Sequence, residues 1–159
     1  MNQLNFETMK VGDDLPLMTF PPISRLQLAL YFGGSGDHNP THVDTDFARL
    51  AGIRDVFASG MLSMALMGRL ITSLAPQSGV TAFSARFIDI VWVGDEISAT
   101  GRIAAMNRDT RSVRLDLRCL NQNGRITTTG HAALSFRAAN LSVAHPAAPS
   151  ASRFEPGAP

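Results

Sequence analysis

Apolar and polar residues alternate along most of the second half of the chain. Every second residue is apolar between positions 112 and 119, and the stretches 97–105 and 126–136 follow a similar pattern. A period of two is typical of strands with one buried face. The pair Asn123-Gly124 predicts a tight hairpin between two of these strands. With a further apolar stretch over 80–93 that ends before Gly94, the pattern predicts a four-strand antiparallel meander.

The first half of the chain predicts helices after one short strand. The apolar run 15–20 ends at Pro21 and predicts that strand. Ser24 is a suitable N-cap for the helix that follows. Three glycines are predicted to end this helix: Gly33, Gly34 and Gly36.

A second, shorter helix is predicted to begin at Asp44, whose carboxylate is a good N-cap, and to end at Gly52. Three residues are predicted to form its buried side: Phe47, Leu50 and Ala51.

The stretch 61–74 carries apolar residues on nearly every face of a helix, which predicts a helix inside the protein. Strands grouped after helices indicate an α+β domain, in which an antiparallel sheet curls around this central helix. We assign residues 1–139 to one domain. Residues 140–159 are dominated by Ala, Pro and Ser and are expected to form a disordered tail.

Composition narrows the functional classes. The 159 residues are 45% hydrophobic and 17% charged, with a net charge of +1, which does not favour a nucleic-acid-binding protein. The single cysteine, Cys119, excludes an internal disulfide and a cysteine-based metal cluster. No apolar run is long enough to span a membrane, and the start does not resemble a signal peptide. These features predict a soluble cytoplasmic protein.

Ionisable residues concentrate in the segment 35–44, between the two predicted helices. Gly36 permits a sharp turn, which can direct Asp37 and His42 to the same small volume. A carboxylate beside an imidazole can hold a water molecule and move its proton near neutral pH. From spacing alone, a polar loop with a helix-capping Asp and a solvated His is the more common arrangement.

The run Gly36-Asp37-His38-Asn39-Pro40-Thr41-His42, with Tyr31 and Ser35 before it, resembles the signature of R-specific enoyl-CoA hydratases and MaoC-like dehydratases. Ser59-Gly60-Met61-Leu62 resembles the start of that family's central helix. Arg86-Phe87 and Gly94-Asp95 resemble the strand and turn that follow it. The resemblance covers residues 5–137. It implies a hot-dog fold, usually dimeric, in which the acyl chain enters near the central helix.

The resemblance also implies roles for individual residues. Asp37 and His42 match the catalytic pair, and Asn39 matches a residue that supports the substrate and the loop. Gly60 matches the glycine whose N–H receives the thioester carbonyl oxygen. This role has an independent basis, because free N–H groups at a helix N-terminus stabilise negative charge. Many members of the family carry His where this chain has Ser59, so the resemblance leaves substrate preference open.

Three further residues are candidates for substrate binding. Ser63 and Gly68 leave space beside the central helix for an acyl chain, or they only allow the sheet to approach closely. Arg86 is a candidate for the CoA phosphates, although a surface role is an equal alternative. The spacing of His, Asp and Glu does not indicate a metal site. We therefore expect no cofactor other than the coenzyme A of the substrate.

The predicted function is the hydration of 2-enoyl-CoA, or the dehydration of 3-hydroxyacyl-CoA, by an Asp–His pair that activates water. One alternative is a hot-dog acyl-CoA thioesterase. Another is a partner subunit of a heteromeric dehydratase, although both members of the pair are present here. The expected assembly is a homodimer or a higher homo-oligomer, without nucleic acid or membrane.

Overall fold

A computed structural model describes residues 4–136. It contains one two-residue strand, three α-helices, two 3-10 turns and four long strands over that range. In chain order these are β1 Met18–Thr19, α1 Arg25–Ser35, a 3-10 turn Pro40–His42, α2 Thr45–Leu50, α3 Gly60–Leu74, a 3-10 turn Gln77–Gly79, β2 Val80–Phe87, β3 Ser98–Asn107, β4 Ser112–Leu120 and β5 Ile126–Ser135.

The strands form one antiparallel sheet in the order β1-β3-β4-β5-β2. The predicted hairpins β3-β4 and β4-β5 are confirmed, and Gly124 turns the second with a φ of 74°. The predicted four-strand meander is wrong in one respect, because β2 pairs with β5 rather than with β3. A tight turn joins strands that are direct neighbours, whereas the longer connection 88–97 carries the chain from one side of the sheet to the other. The strand β2 therefore forms a sheet edge.

The core lies between α3 and the inward face of the sheet. Leu70 and Met67 of α3 are fully buried, and they belong to the same hydrophobic cluster as Leu115 of β4. Met67 approaches β5 at Gly130, where a Cβ would lie 2.7 Å from the Met67 sulfur. Cys119 is also buried, and burial raises the pKa of its thiol to about 12. The sheet curled around one helix confirms the predicted α+β hot-dog fold.

Within residues 4–136, one flank of α3 is left open. Met61, Ala65, Arg69 and Thr72 are exposed, and they follow one another at helical spacing. Met61 keeps 54% of its surface accessible. Within the described residues, the helix predicted to lie inside the protein is covered on one side, because the five-strand sheet packs against that side only.

The predicted strand over 15–20 is reduced to Met18–Thr19. Pro16 has no N–H group, so a continuous ladder with β3 is interrupted there. Hydrogen bonds still attach both ends of the segment to the sheet: Leu15 N–H donates to the Gly101 carbonyl, and Phe20 N–H donates to the Ile97 carbonyl.

Ser24 caps α1 as predicted, since its hydroxyl accepts the N–H of Gln27 at 3.0 Å. Gly33 and Gly34 do not end this helix but lie inside it. The helix ends at Gly36, which adopts the left-handed conformation with a φ of 74° that favours glycine.

Asp44 caps α2 as predicted, and its carboxylate accepts the N–H groups of Asp46 and Phe47. The predicted buried side of α2 is wrong. The helix has fewer than two turns and places only Ala48 fully in the core. The residues predicted to be buried are exposed: Phe47, Leu50 and Ala51.

The predicted tail, residues 140–159, lies outside the described residues. Within residues 4–136, no helix is both long and apolar enough to cross a membrane.

Candidate active site

The loop between α1 and α2 is held by hydrogen bonds from its own side chains. The Ser35 hydroxyl accepts the N–H of Asp37 at 3.2 Å. The Asn39 side-chain oxygen accepts the N–H of Thr41, also at 3.2 Å, and so begins the 3-10 turn Pro40–His42. These bonds fix the backbone and leave the side chains of Asp37 and His42 available for chemistry.

Asp37 and His42 come together as the sequence analysis predicted. The Asp37 Oδ2 lies 3.7 Å from the His42 Nε2, which is longer than a direct hydrogen bond. The Asp37 side chain is 39% exposed, whereas the His42 side chain is only 12% exposed. A water molecule beside the pair could therefore reach both groups from the open side.

The other ring nitrogen of His42 makes the contact that determines the tautomer of the neutral imidazole. Its Nδ1 lies 2.8 Å from the main-chain carbonyl oxygen of Phe57. Because a carbonyl oxygen only accepts hydrogen bonds, Nδ1 carries the hydrogen and donates it. In the neutral ring, Nε2 then presents a lone pair toward Asp37.

His38, the other histidine of the loop, has a different role. Its ring packs on Phe32 of α1, with 4.9 Å between the ring centroids. Only His42 therefore forms the pair with Asp37.

Gly60 begins α3, where the N–H groups of the first turn have no carbonyl acceptor within the helix. Ser59 is buried and caps this turn, since its hydroxyl accepts the N–H of Leu62 at 3.4 Å. A Cβ on Gly60 would lie 2.7 Å from the Phe87 ring. Glycine at this position thus lets an aromatic ring of β2 lie directly against the helix N-terminus.

A cavity of about 320 Å³ opens beside this N-terminus. The strand β2 was predicted to continue to position 93, but it ends at Phe87, and the chain then turns to form one wall of the cavity. Its rim is apolar, with Phe87, Ile88 and Ile90 each at least 41% exposed. The residues that line it are Phe57, Ala58, Gly60, Ser63, Phe87, Ile88, Asp89, Ile90 and Val91.

A larger groove of about 410 Å³ lies on the sheet and includes Asp116, His131 and Arg102. These three side chains alternate with the buried positions of their strands, so they project from the outer face of the sheet, away from α3. Asp116 contacts both of the others, and His131 is 67% exposed. The smaller cavity is the candidate active site, because it borders the N-terminus of α3 and includes Phe57, which binds His42. Asp37 and His42 themselves are not among its lining residues.

The remaining predicted site residues are placed as follows. Ser63 lines the cavity together with Gly60. Gly68 lies about two turns further along α3, where a Cβ would lie 3.4 Å from the Phe83 ring, and it is not among the residues that line the cavity. Arg86 is exposed on β2, next to Phe87.

Phe57 was not predicted as a site residue. The Phe57 carbonyl binds His42, and Phe57 also lines the cavity. Phe57 therefore connects the Asp37–His42 pair to the cavity. A main-chain carbonyl leaves no residue-specific signal in a sequence. Across residues 4–136, no group of three or more His, Cys, Asp and Glu side chains is arranged to hold a metal ion.

A family model and several known proteins are similar to this chain, and they agree with one another. The family model described as "MaoC like domain" matches residues 10–118. An (R)-specific enoyl-CoA hydratase of Aeromonas caviae is 30% identical over 112 residues, which cover 69% of this chain and 84% of that protein. A mitochondrial 3-hydroxyacyl-[acyl-carrier-protein] dehydratase of Arabidopsis thaliana is 30% identical over 128 residues, which cover 78% of this chain and 75% of that protein.

Among solved structures, an R-hydratase of Pseudomonas aeruginosa in the unliganded form superposes with a TM-score of 0.73 at 28% identity. The superposition covers 82% of this chain and 83% of the other.

Proposed function

This chain belongs to the MaoC-like domain family, and from that membership we propose that it adds water to 2-enoyl-CoA thioesters and, in reverse, dehydrates 3-hydroxyacyl-CoA thioesters. One observation carries the proposal. Phe57 holds His42 through its carbonyl and also lines the cavity that begins at Gly60. Asp37 and His42 are not among the residues that line the cavity, but Phe57 connects the pair to it, and the reacting group is proposed to lie where the pair and the cavity adjoin.

The pair supplies the proton transfers. A water molecule beside Asp37 and His42 donates one hydrogen bond to the carboxylate and one to the Nε2 lone pair. As the water oxygen bonds to C3 of the enoyl group, the pair accepts one of its protons and returns a proton to C2. The complete addition therefore consumes water without a net change in the protonation of the protein.

The helix N-terminus stabilises the charge that develops during the addition. When oxygen attacks C3, the electrons of the double bond move toward the thioester carbonyl, and its oxygen becomes an enolate. The N–H of Gly60 is the donor proposed to bind that oxygen, and preorganised donors act most strongly where charge develops.

The acyl chain is proposed to lie along the apolar wall of the cavity, beside Ser63 and Phe87. Arg86 is exposed at the same end of β2, so its guanidinium is a candidate to bind the CoA phosphates. Coenzyme A thus enters as part of the substrate, and the proposed chemistry uses no separate cofactor.

We also propose a homodimer as the working unit. Among residues 4–136, the eight-residue strand β2 has no partner on its outer edge, and this edge lies beside the open flank of α3. Met61, Phe87 and Ile88 expose apolar surface around this edge. Unpaired strand edges invite pairing with another chain, and a second copy is the simplest partner.

The direct test is a panel of enoyl-CoA thioesters with different chain lengths, followed by the loss of enoyl absorbance. A thiol reagent in a parallel reaction reports free coenzyme A. Loss of absorbance without thiol release supports the hydratase. Thiol release at a comparable rate would instead identify a thioesterase, and inactivity on the whole panel would contradict the proposal.

A further inference from the structure

The tautomer of the neutral His42 ring depends on the position of one carbonyl group. If the Phe57 oxygen moved away from Nδ1, the hydrogen could occupy either ring nitrogen, and Nε2 would no longer be reserved as the acceptor that faces Asp37. The elements that hold Phe57 in place therefore bear on the proposed chemistry.

Phe57 is held by the segment that follows β2. It forms an isolated antiparallel bridge with Trp92, and the next residue, Ala58, donates its N–H to the Val91 carbonyl at 2.8 Å. The Phe57 ring contacts the Trp92 ring edge to face, with 6.0 Å between their centroids. On its other side, the same ring contacts the His42 ring at 4.7 Å.

Trp92 is itself fixed through both its backbone and its ring. Its N–H donates to Oδ2 of Asp95 at 2.8 Å, and the other carboxylate oxygen accepts the Gln122 side-chain N–H at 2.9 Å. Asp95 is buried, so these contacts are shielded from water. The guanidinium of Arg54 lies over the indole, 4.0 Å from the ring centroid, which is a favourable cation–π distance.

The segment that leads to Phe57 is anchored as well. Asp55 accepts two hydrogen bonds from Arg25, the first residue of α1, and this contact with Arg25 lowers the pKa of Asp55. Arg25 also donates to the Thr45 hydroxyl at the start of α2. The helices that flank the catalytic loop are therefore connected to the segment that carries Arg54 and Phe57.

We propose that Trp92, with Arg54 over its ring, is a positioning residue that holds the Phe57 carbonyl against His42 and so selects the Nδ1–H tautomer. The inference rests on the proposed function of the Asp37–His42 pair. Trp92 is not itself among the residues that line the cavity, but it contacts Phe57, which is, so its effect is expected to reach the pair through Phe57.

Nitrogen NMR of imidazole-labelled protein tests the inference without any substrate. At alkaline pH, where the imidazole is neutral, wild-type His42 should show a protonated Nδ1 and an unprotonated Nε2. Trp92→Ala should move both signals toward a mixture of tautomers, whereas Trp92→Phe, which keeps a ring, should retain most of the wild-type pattern. Arg54→Gln should give a smaller shift in the same direction.

Kinetics give the second readout. Trp92→Ala should lower kcat on the order of 10- to 100-fold, because misplaced groups slow the reaction more than they weaken binding. KM should change little, and Trp92→Phe should restore most of kcat. Phe32→Ala is the matched control: it removes the ring that packs on His38 and should leave the His42 signals unchanged.

The outcomes separate this inference from the proposed function. Unchanged His42 signals in folded Trp92→Ala would overturn the positioning role. If that variant does not fold, unchanged signals in Arg54→Gln would contradict the role of the cation over the ring. If wild type is inactive on every enoyl thioester but the tautomer responds as described, the positioning role stands and the hydratase proposal fails.

Discussion

Leu70 and His42 are both largely enclosed, yet the regions that hold them are constructed differently. Leu70 belongs to the helix–sheet core, where many apolar side chains of α3 and the strands pack against one another. His42 belongs to the loop between α1 and α2, where individual hydrogen bonds determine the geometry: one to Phe57, one within the Asn39 turn and two at the Asp44 cap.

The two regions differ in how many contacts maintain the local structure. In the core, a lost contact reduces a large sum, so the expected consequence is lower stability with the same active site. In the loop, a lost contact removes a specific orientation, so the expected consequence is lower activity with nearly the same stability. Substitutions in the two regions should therefore separate stability from turnover.

The largest effect should follow changes to the proposed catalytic pair, Asp37 and His42. Asp37→Asn removes the acceptor charge, and His42→Ala removes the Nε2 acceptor. Each should lower kcat by about 10²- to 10⁴-fold, the range typical of lost acid–base groups. Because both groups serve one water molecule, the double variant should be scarcely worse than either single variant. Enoyl hydration assays measure the rates, and thermal melting checks the fold.

Loss of the folded structure together with activity in either variant would contradict the proposed contrast between the core and the loop. The assignment of the pair would fail if the folded double variant kept near-normal turnover. His38→Ala is the matched control, since it changes the other histidine of the loop, and it should keep activity within a few-fold of wild type.

The same contrast explains how much could be predicted from the sequence. Alternation predicted β3, β4 and β5, and the apolar run predicted α3, because each of these elements repeats one signal many times. Ser24 and Asp44 were predicted as caps from local chemistry alone. Local patterns did not predict that β2 lies beside β5, since the pairing of distant strands is a tertiary property.

The site was harder to predict from the sequence than the fold was. Spacing alone did not favour Asp37 and His42 as a catalytic pair, and only the family resemblance assigned them. The contact with Phe57 could not be predicted at all, because any residue offers the same carbonyl. The shortened strand after Phe87 was also missed, since Ile88, Ile90 and Val91 suit a strand as well as a cavity wall.

The second prediction tests the core side of the comparison. Leu70→Ala should lower the free energy of unfolding by about 2–5 kcal/mol, because Leu70 is fully buried and its replacement leaves a cavity. Urea unfolding measures this loss. Turnover per folded molecule should stay within about twofold, as Leu70 does not line the catalytic cavity. A kcat loss as large as that of His42→Ala would contradict the separation of the two regions.

The third prediction concerns the open flank of α3, beside the β2 edge of the sheet. Sedimentation of the wild type should show at least a dimer, and Met61→Glu should shift it toward the monomer, because a charge at an apolar interface is costly to bury. Met61 is already 54% exposed in the single chain, so the fold itself should tolerate the change. Val11→Glu is the control. Val11 is 60% exposed and lies next to β3, toward the sheet edge opposite β2. A fully active wild-type monomer would contradict the proposed assembly.

The smallest effects are expected at Gly68, on the flank of α3 beyond the cavity. A Cβ there would lie 3.4 Å from the Phe83 ring, so Gly68→Ala should fit and add up to about 1 kcal/mol of helix stability. Gly68→Leu extends further toward Phe83. If long acyl chains reach this flank from Ser63, it should slow long enoyl-CoA substrates and leave crotonyl-CoA unaffected. Assays on short and long chains, with a melting curve for each variant, measure both effects. A uniform loss of activity with destabilisation of about 1–3 kcal/mol would instead identify Gly68 as a packing residue, because overpacking does not discriminate between chain lengths.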